Sequence, residues 1–303
     1  MKGAQILKRF LADKSELTAK AYREDLEDFI LFLKAPSIEA AIEKLFGSNH
    51  PRAQRIVGDY LSSMRRRGLA PATINRRLST LRSLGKRTNV LGYCSWRLAA
   101  DNVKMEKVRD TRGPGRENMV RMFDYLKAES PSKPVLRDLA IIHLCYDLGL
   151  RRGEVVSINV SDYSEGRLRV RRKGKLSKEP LTLPKPTRVA VDAWLGVRGA
   201  QPGPMFINFD SIHRSKTGKR LTGAAIYQIV KARALEAGVK APVRPHGIRH
   251  TAISDARLSI ARLGLGMDSL VDFSGHADAR TLKHYLDDQV SAQGIISADI
   301  ALP

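Results

Sequence analysis

The chain has 303 residues, 43% of them hydrophobic and 28% charged, a composition that excludes a mainly disordered protein. A single hydrophobic core has usually stopped growing at this length, so two domains are expected. Lys and Arg number 53 against 31 Asp and Glu, a formal net charge of +22, and a field of that sign draws polyanions, nucleic acid first among them.

The longest apolar stretch, residues 139–150, is interrupted by His143 and Asp147 and is too short to cross a bilayer. No secretory leader is read at the N-terminus. Cys94 and Cys145 are too few for a disulfide framework or a cysteine-based zinc site, so buried, inert thiols and a reducing, cytoplasmic setting are expected.

From residue 4 to about residue 84, apolar residues recur at helical spacing, among them Phe10, Leu11, Leu26, Phe29, Ile30, Leu33, Ile38, Ile42 and Leu45. Breaks at Lys34-Ala-Pro-Ser, Ser48-Asn-His-Pro and Arg67-Gly-Leu-Ala-Pro71 divide this stretch into four or five helices, because glycine readily ends helices and the residue before proline resists the α conformation. Residues 72–87 put Ile74, Leu78, Leu81 and Leu84 on one side, while Arg76, Arg77, Arg82, Lys86 and Arg87 decorate the rest. One face packs and the other can meet phosphate. A helical DNA-binding domain is predicted over 1–108.

The polar, basic stretch that contains Gly113-Pro114-Gly115 predicts a linker over 109–116, with a second domain over 117–303. That domain opens with helical patterns at 119–127 and 136–148. Arg167-Leu-Arg-Val-Arg171 then alternates, Leu181-Thr-Leu-Pro184 follows a turn rich in Gly and Lys, and Met205-Phe-Ile-Asn-Phe209 is another β-like run. Helical spacing returns over 223–237 and continues in pieces to Tyr285. The fold class is therefore mainly α with a small antiparallel β-sheet, an α+β arrangement.

Four features carry possible chemistry. Leu148-Gly-Leu-Arg-Arg-Gly-Glu154 closes an apolar helix with a glycine turn and delivers Arg151 to the start of the next element; taken alone, a solvated arginine paired with Glu154 is the commoner outcome. In Pro245-His-Gly-Ile-Arg-His250, His246 and Arg249 stand at i, i+3 on one helical face. His250 and His143 are expected to be structural. Ser274-Gly-His276 precedes Tyr285 by a nine-residue step, long enough for a short helix to return the phenol toward the imidazole, although a tyrosine by itself is mostly a core aromatic. The hairpin turn Arg171-Arg-Lys-Gly-Lys-Leu-Ser-Lys178 offers Lys173, Lys175 and Lys178.

Together these groups suit attack on a phosphodiester. Pentacoordinate phosphorus gains negative charge, which two guanidiniums can clamp through bidentate bonds. A phenol with a pKa near 10 needs cationic neighbours and a proton acceptor before it is a competent nucleophile. The departing alkoxide needs a proton, which a hairpin lysine can supply. No carboxylate cluster or His/Cys grouping with metal spacing is read, which argues against a two-metal nuclease.

The order Gly-Leu-Arg151-Arg-Gly-Glu, hairpin lysine, His246-x-x-Arg249-His, Gly-His276 and Tyr285 resembles the tyrosine recombinase family of phage integrases and Xer-type enzymes, over most of the chain. The segment from Pro204-Met-Phe-Ile-Asn through Thr217-Gly-Lys-Arg-Leu-Thr222 is similar as well, and the N-terminal part resembles the family's helical core-binding domain. Ser274 stands where the family commonly has leucine. The resemblance implies that Arg151 and Arg249 bind the scissile phosphate, Lys173 protonates the 5′ oxygen, His246 and His276 assist, and Tyr285 forms a 3′-phosphotyrosyl link. Glu154 would support Arg151.

The activity so implied is site-specific strand exchange without metal, ATP or other cofactor. The expected partner is double-stranded DNA, clamped by Arg76, Arg77 and Arg82 on one side and the catalytic domain on the other. Four protomers would act on two duplexes in the nucleoid, with the apolar tail at Ile295, Ile296, Ile300 and Leu302 docking in a neighbour. Relaxation of DNA in the manner of a type IB topoisomerase, and a non-catalytic DNA-binding regulator, are the alternatives.

Overall fold

The computed structural model describes residues 2–104, 113–209 and 218–275, and these fall in two compact units, Met1–Arg109 and Asp110–Pro303. Each unit has its own core. The architecture is mainly helical with one small antiparallel sheet.

The first unit contains α1 (Lys2–Leu11), α2 (Glu16–Leu33), α3 (Ile38–Phe46), α4 (His50–Arg66) and α5 (Pro71–Val90). The helix starts have local causes. Ser15, Ser37 and Asn49 each accept a hydrogen bond from the third amide that follows, at 3.3, 3.2 and 3.0 Å, satisfying donors that a helix start leaves orphaned. Pro71 begins α5, where its missing N–H costs nothing. The apolar stripes converge on Phe29, Leu45, Tyr60, Met64 and Leu78, all sealed from solvent.

The second unit begins with α6 (Arg116–Ala128) and α7 (Lys133–Asp147). Its centre is α7, buried on nearly every side: Val135, Ala140, Ile141, Ile142, Leu144 and Cys145 are in the core, and Arg137, Asp138 and His143 are buried with them. Then come α8 (Arg152–Ser157), a 3₁₀ turn, and a sheet of β1 (Tyr163–Ser164), β2 (Arg167–Val170) and β3 (Glu179–Thr182). Both pairings are antiparallel in the order β1-β2-β3, with Leu168 opposite Leu181 and Val170 opposite Glu179. Leu168 and Val170 point into the core while Arg167 and Arg169 point out, the alternation a half-buried strand requires. Next are α9 (Lys185–Arg198), α10 (Gly223–Glu236), α11 (Pro245–Arg262) and α12 (Met267–Ser274).

Two details differ from the sequence expectation. The β-like run at 205–209 forms no strand; only isolated bridges pair Asn159 with Pro204 and Ile207 with Arg220. Its amides and carbonyls bond to turns on both sides, Met205 N–H to the Ile158 carbonyl and Leu221 N–H to the Phe206 carbonyl, so no continuous ladder develops. Of the expected linker, 109–112 lie outside the described residues, and 113–116 are packed into the second unit. Gly113 lies so close to the Gly247 carbonyl and Thr251 Oγ1 that a Cβ would overlap both, and the Gly115 amide donates to Thr251 Oγ1 at 3.1 Å.

The two cysteines are buried, and burial pushes the Cys145 thiol up to about 12, so it stays protonated and inert. His143 is a core residue, bonded to Asp147 at 2.8 Å and stacked on Phe123 at 4.2 Å. No helix of the described residues is long and apolar enough to cross a membrane.

Trp194 is the largest fully buried side chain; its indole N–H donates to the Met205 carbonyl at 3.0 Å. Trp194→Ala is expected to cost the second unit about 3–5 kcal/mol, read from urea unfolding by circular dichroism, through the cavity left and the orphaned carbonyl. A loss below about 1 kcal/mol would show that the core collapses around the gap.

Candidate active site

Three features bring together the sequence motifs that lie among the described residues. The first is the turn after α7. Gly149 adopts φ +56°, a left-handed conformation that glycine reaches without a Cβ penalty. A Cβ there would also lie 3.2 Å from the Phe273 ring, so the turn packs closely on α12. The chain reverses and presents Arg151 as the N-cap of α8.

The second is a carboxylate at that helix start. Glu154 is only 5% exposed and accepts three hydrogen bonds: from the Arg151 amide at 2.8 Å, from Arg151 Nη1 at 2.9 Å and from the Lys173 amide at 3.0 Å. Burial by itself raises the carboxyl's pKa, but the two backbone donors, the guanidinium bond and its positive charge together outweigh that effect, and the group is held below the usual glutamate value. One carboxylate thus fixes both the root of Arg151 and the root of the lysine hairpin.

The third is Arg249, which is completely buried on the first turns of α11. Its Nη1 donates to the Gly149 carbonyl, and its Nη2 donates to the Ser274 carbonyl at 2.6 Å. The first contact reaches the turn two residues before Arg151; the second reaches the last residue of α12. His246, one turn earlier on α11, faces solvent. Its pKa is lowered by partial desolvation and then by the charges of Arg249 and Arg151, which favours the neutral imidazole. The charges of both arginines therefore reach the ring.

The hairpin lysines separate. Lys178 Nζ is held by Asp162 at 2.5 and 2.7 Å, and Lys175 pairs with Glu179 at 3.1 Å. Lys173 is exposed and in no ion pair among the described residues. His276 and Tyr285 lie outside the described residues. His250 is buried.

The arginines proposed for DNA contact in the helical unit are occupied. Arg76 and Arg77 turn toward α2, where Arg76 pairs with Asp25 and Arg77 with Asp28 at 2.7 Å. Arg82 donates to the Ala100 carbonyl and, at 2.9 Å, to Asn102 Oδ1. Of the three, Arg76 is the most exposed, with half its side chain in solvent.

Arg172 was not singled out by the sequence motifs. It is 3% exposed, and its Nη1 donates to the Phe273 carbonyl at 3.1 Å. The signal was present, because the period of two that buries Leu168 and Val170 continues to position 172.

Known proteins resemble this chain. The phage integrase family model matches residues 116–291, and that of the phage integrase N-terminal SAM-like domain matches residues 8–86. A tyrosine recombinase of Synechocystis sp. is 33% identical over 98% of this chain and 94% of its own. The tyrosine recombinase XerC of Alcanivorax borkumensis is 34% identical over 77% of this chain and 75% of its own. Among solved structures, the Tn1549 transposon integrase in complex with transposon right-end DNA superposes with a TM-score of 0.67 at 12% identity over 99% of both chains. A lambda integrase (75–356) dimer bound to a core site gives 0.66 at 14% identity over 96% of both. At such identities the structural likeness speaks for the fold.

Glu154→Gln replaces one acceptor by a donor facing an amide, and is expected to destabilise by about 1–3 kcal/mol at pH 7. The lowered pKa fixes the sign with pH: Glu154's contribution is present above the unfolded value of about 4.3 and is lost as pH falls through the lower folded value. The gap between wild type and variant should therefore narrow on acidification below about pH 4.3. A gap unchanged from pH 7 to pH 3 would refute this account of Glu154.

Proposed function

The chain belongs to the phage integrase family of tyrosine recombinases, enzymes that break and rejoin DNA at specific sites, and we propose that it does so through Tyr285, with Arg151, Lys173, His246, Arg249 and His276 as its machinery. The observation that carries this residue assignment is the grip of the buried Arg249 guanidinium on the turn that presents Arg151, with both cations bearing on His246. Arg151 is partly exposed and can meet a nonbridging oxygen directly, while the buried Arg249 adds its positive charge to the same turn.

In the cleavage step the Tyr285 oxygen attacks phosphorus as its proton passes to a neutral acceptor, for which His246 is suited by its lowered pKa. The bond from phosphorus to the 5′ oxygen breaks, and Lys173 gives that oxygen a proton. A 3′-phosphotyrosyl bond remains. Attack by the 5′ hydroxyl of another strand reverses each transfer, frees Tyr285 and restores the lysine's proton. The phosphoester energy is kept in the covalent link, so no step calls for ATP or a metal.

Lys173 is the favoured donor of the three hairpin lysines because Asp162 and Glu179 hold the other two. Arg151 and Arg249 also serve the intermediate, whose added negative charge meets cations already fixed in place. On the helical unit, contact is expected to be mainly with phosphate. There Arg76 can still reach outward, while Arg77 and Arg82 act chiefly by holding the helices together. We further propose that four protomers assemble on two DNA sites in the cytoplasm. The recombinase names of the relatives favour exchange between duplexes over relaxation or mere regulation.

Covalent trapping on nicked DNA carrying candidate sites from beside the gene tests the assignment. Wild type should form a protein–DNA adduct stable to denaturant, and Tyr285→Phe none; an adduct with the phenylalanine variant would remove Tyr285 as the nucleophile. Binding to duplex DNA should weaken with log salt by about 0.9 per phosphate neutralised, and a nearly flat titration would contradict phosphate-led recognition.

A further inference from the structure

The strand β2 alternates, and its inward positions continue past its end to Arg172. A guanidinium there is out of place unless something satisfies it, since burying a charge without partners is costly. Desolvation lowers its pKa, the direction expected for a cation withdrawn from water. Its partner is the Phe273 carbonyl, 3.1 Å away and 101 positions along the chain. That carbonyl is one of the last of α12, where a helix leaves its acceptors unpaired and its dipole negative, so a cation there is doubly favoured.

The fit extends one residue further. Gly275 caps α12 at φ +58°, and the Arg172 side chain crosses directly over it. A Cβ at 275 would come within 2.6 Å of Arg172 Nη1 and closer still to Cδ. Two arginines thus hold consecutive carbonyls, Arg172 that of Phe273 and Arg249 that of Ser274. Immediately after Arg172 comes Lys173, whose amide is fixed by Glu154 but whose ammonium is not ion-paired among the described residues.

We infer that Arg172 is a positioning residue for proton donation to the leaving group: by tying the hairpin to the Phe273 carbonyl, it sets where Lys173 meets the departing 5′ oxygen. The inference rests on the reading of Lys173 as that donor. It makes Arg172 a mechanical link between the lysine hairpin and the end of α12, and gives it no contact with DNA.

The chemistry supplies a readout that a merely structural role would not move. A 5′-bridging sulfur leaves as a thiolate and needs no proton, so a defect confined to proton donation disappears on that substrate. Wild type, Lys173→Ala, Arg172→Met and Arg172→Lys would be compared on nicked duplexes with 5′-oxygen or 5′-sulfur at a cleavage site selected from a random library by covalent trapping. Arg172→Met should slow adduct formation on the oxygen substrate roughly 10- to 100-fold, in line with a small misplacement of a catalytic group, and lie within about threefold of wild type on sulfur. Lys173→Ala should show a larger loss with the same rescue. Arg172→Lys, which keeps a charge and a donor, should recover part of the oxygen rate.

If Lys173→Ala is rescued by sulfur but Arg172→Met is slowed equally on both substrates, or on neither, the inference fails and the active-site reading stands. If Lys173→Ala is not rescued, or wild type traps neither substrate, the reading fails and the inference with it. Should Arg172→Met not fold by circular dichroism, Arg172→Lys decides by the same comparison; if neither folds, Arg172 is a stability element and the inference is overturned.

Discussion

The arrangement of the second unit turns on one buried cation. Arg249 carries a charge with no access to water, and a guanidinium in that position is tolerable only if fixed dipoles replace the solvent it has lost. The carbonyls of Gly149 and Ser274 are two of those dipoles: Ser274 ends α12, where acceptors are orphaned and the helix dipole is negative, and Gly149 lies in the turn just past α7. Satisfying the arginine therefore brings the end of α7, the start of α11 and the end of α12 to one point. The same bonds that make the charge bearable assemble the site.

Glu154 performs the complementary task with the opposite sign. A buried carboxylate needs donors, and it takes them from the amide and guanidinium of Arg151 and from the amide of Lys173, which belong to two motifs. Its three bonds tie the Arg151 turn to the hairpin that carries Lys173. Cations and carboxylate are thus interleaved, each compensated by the backbone as much as by the other. Such a cluster is pre-arranged before any phosphate arrives, which is what electrostatic stabilisation of a developing negative charge requires. Added negative charge meets donors whose orientation has already been fixed during folding.

The helical unit shows the limits of reading a charged helix face by itself. On α5, Arg76, Arg77 and Arg82 stand where solvent or phosphate would be expected, but α2 sets Asp25 and Asp28 opposite the first two, and the loop after α5 offers Arg82 a carbonyl. Asp28 is further held by Tyr60 at 2.7 Å and by both terminal nitrogens of Arg67 at 2.8 Å. A net positive composition says how the whole molecule meets a polyanion. It does not say which arginines are already engaged, because that depends on which helices are neighbours.

Local order was legible in the sequence because it is written at short range. Helical spacing, the glycine and proline breaks, the alternation of β2 and the glycine turn before Arg151 each act over a few residues, and the fold follows them closely. The order of the motifs along the chain identified the family for the same reason. What only the tertiary structure decided is which side chains are spent on the protein itself: Lys178 on Asp162, Arg77 on Asp28, Arg172 on the Phe273 carbonyl. Those pairings span 16 to 101 positions along the chain. No local pattern specifies them, since a charge chooses its partner by distance in space and by what burial has taken from it, and both are set only when the helices and sheet have packed.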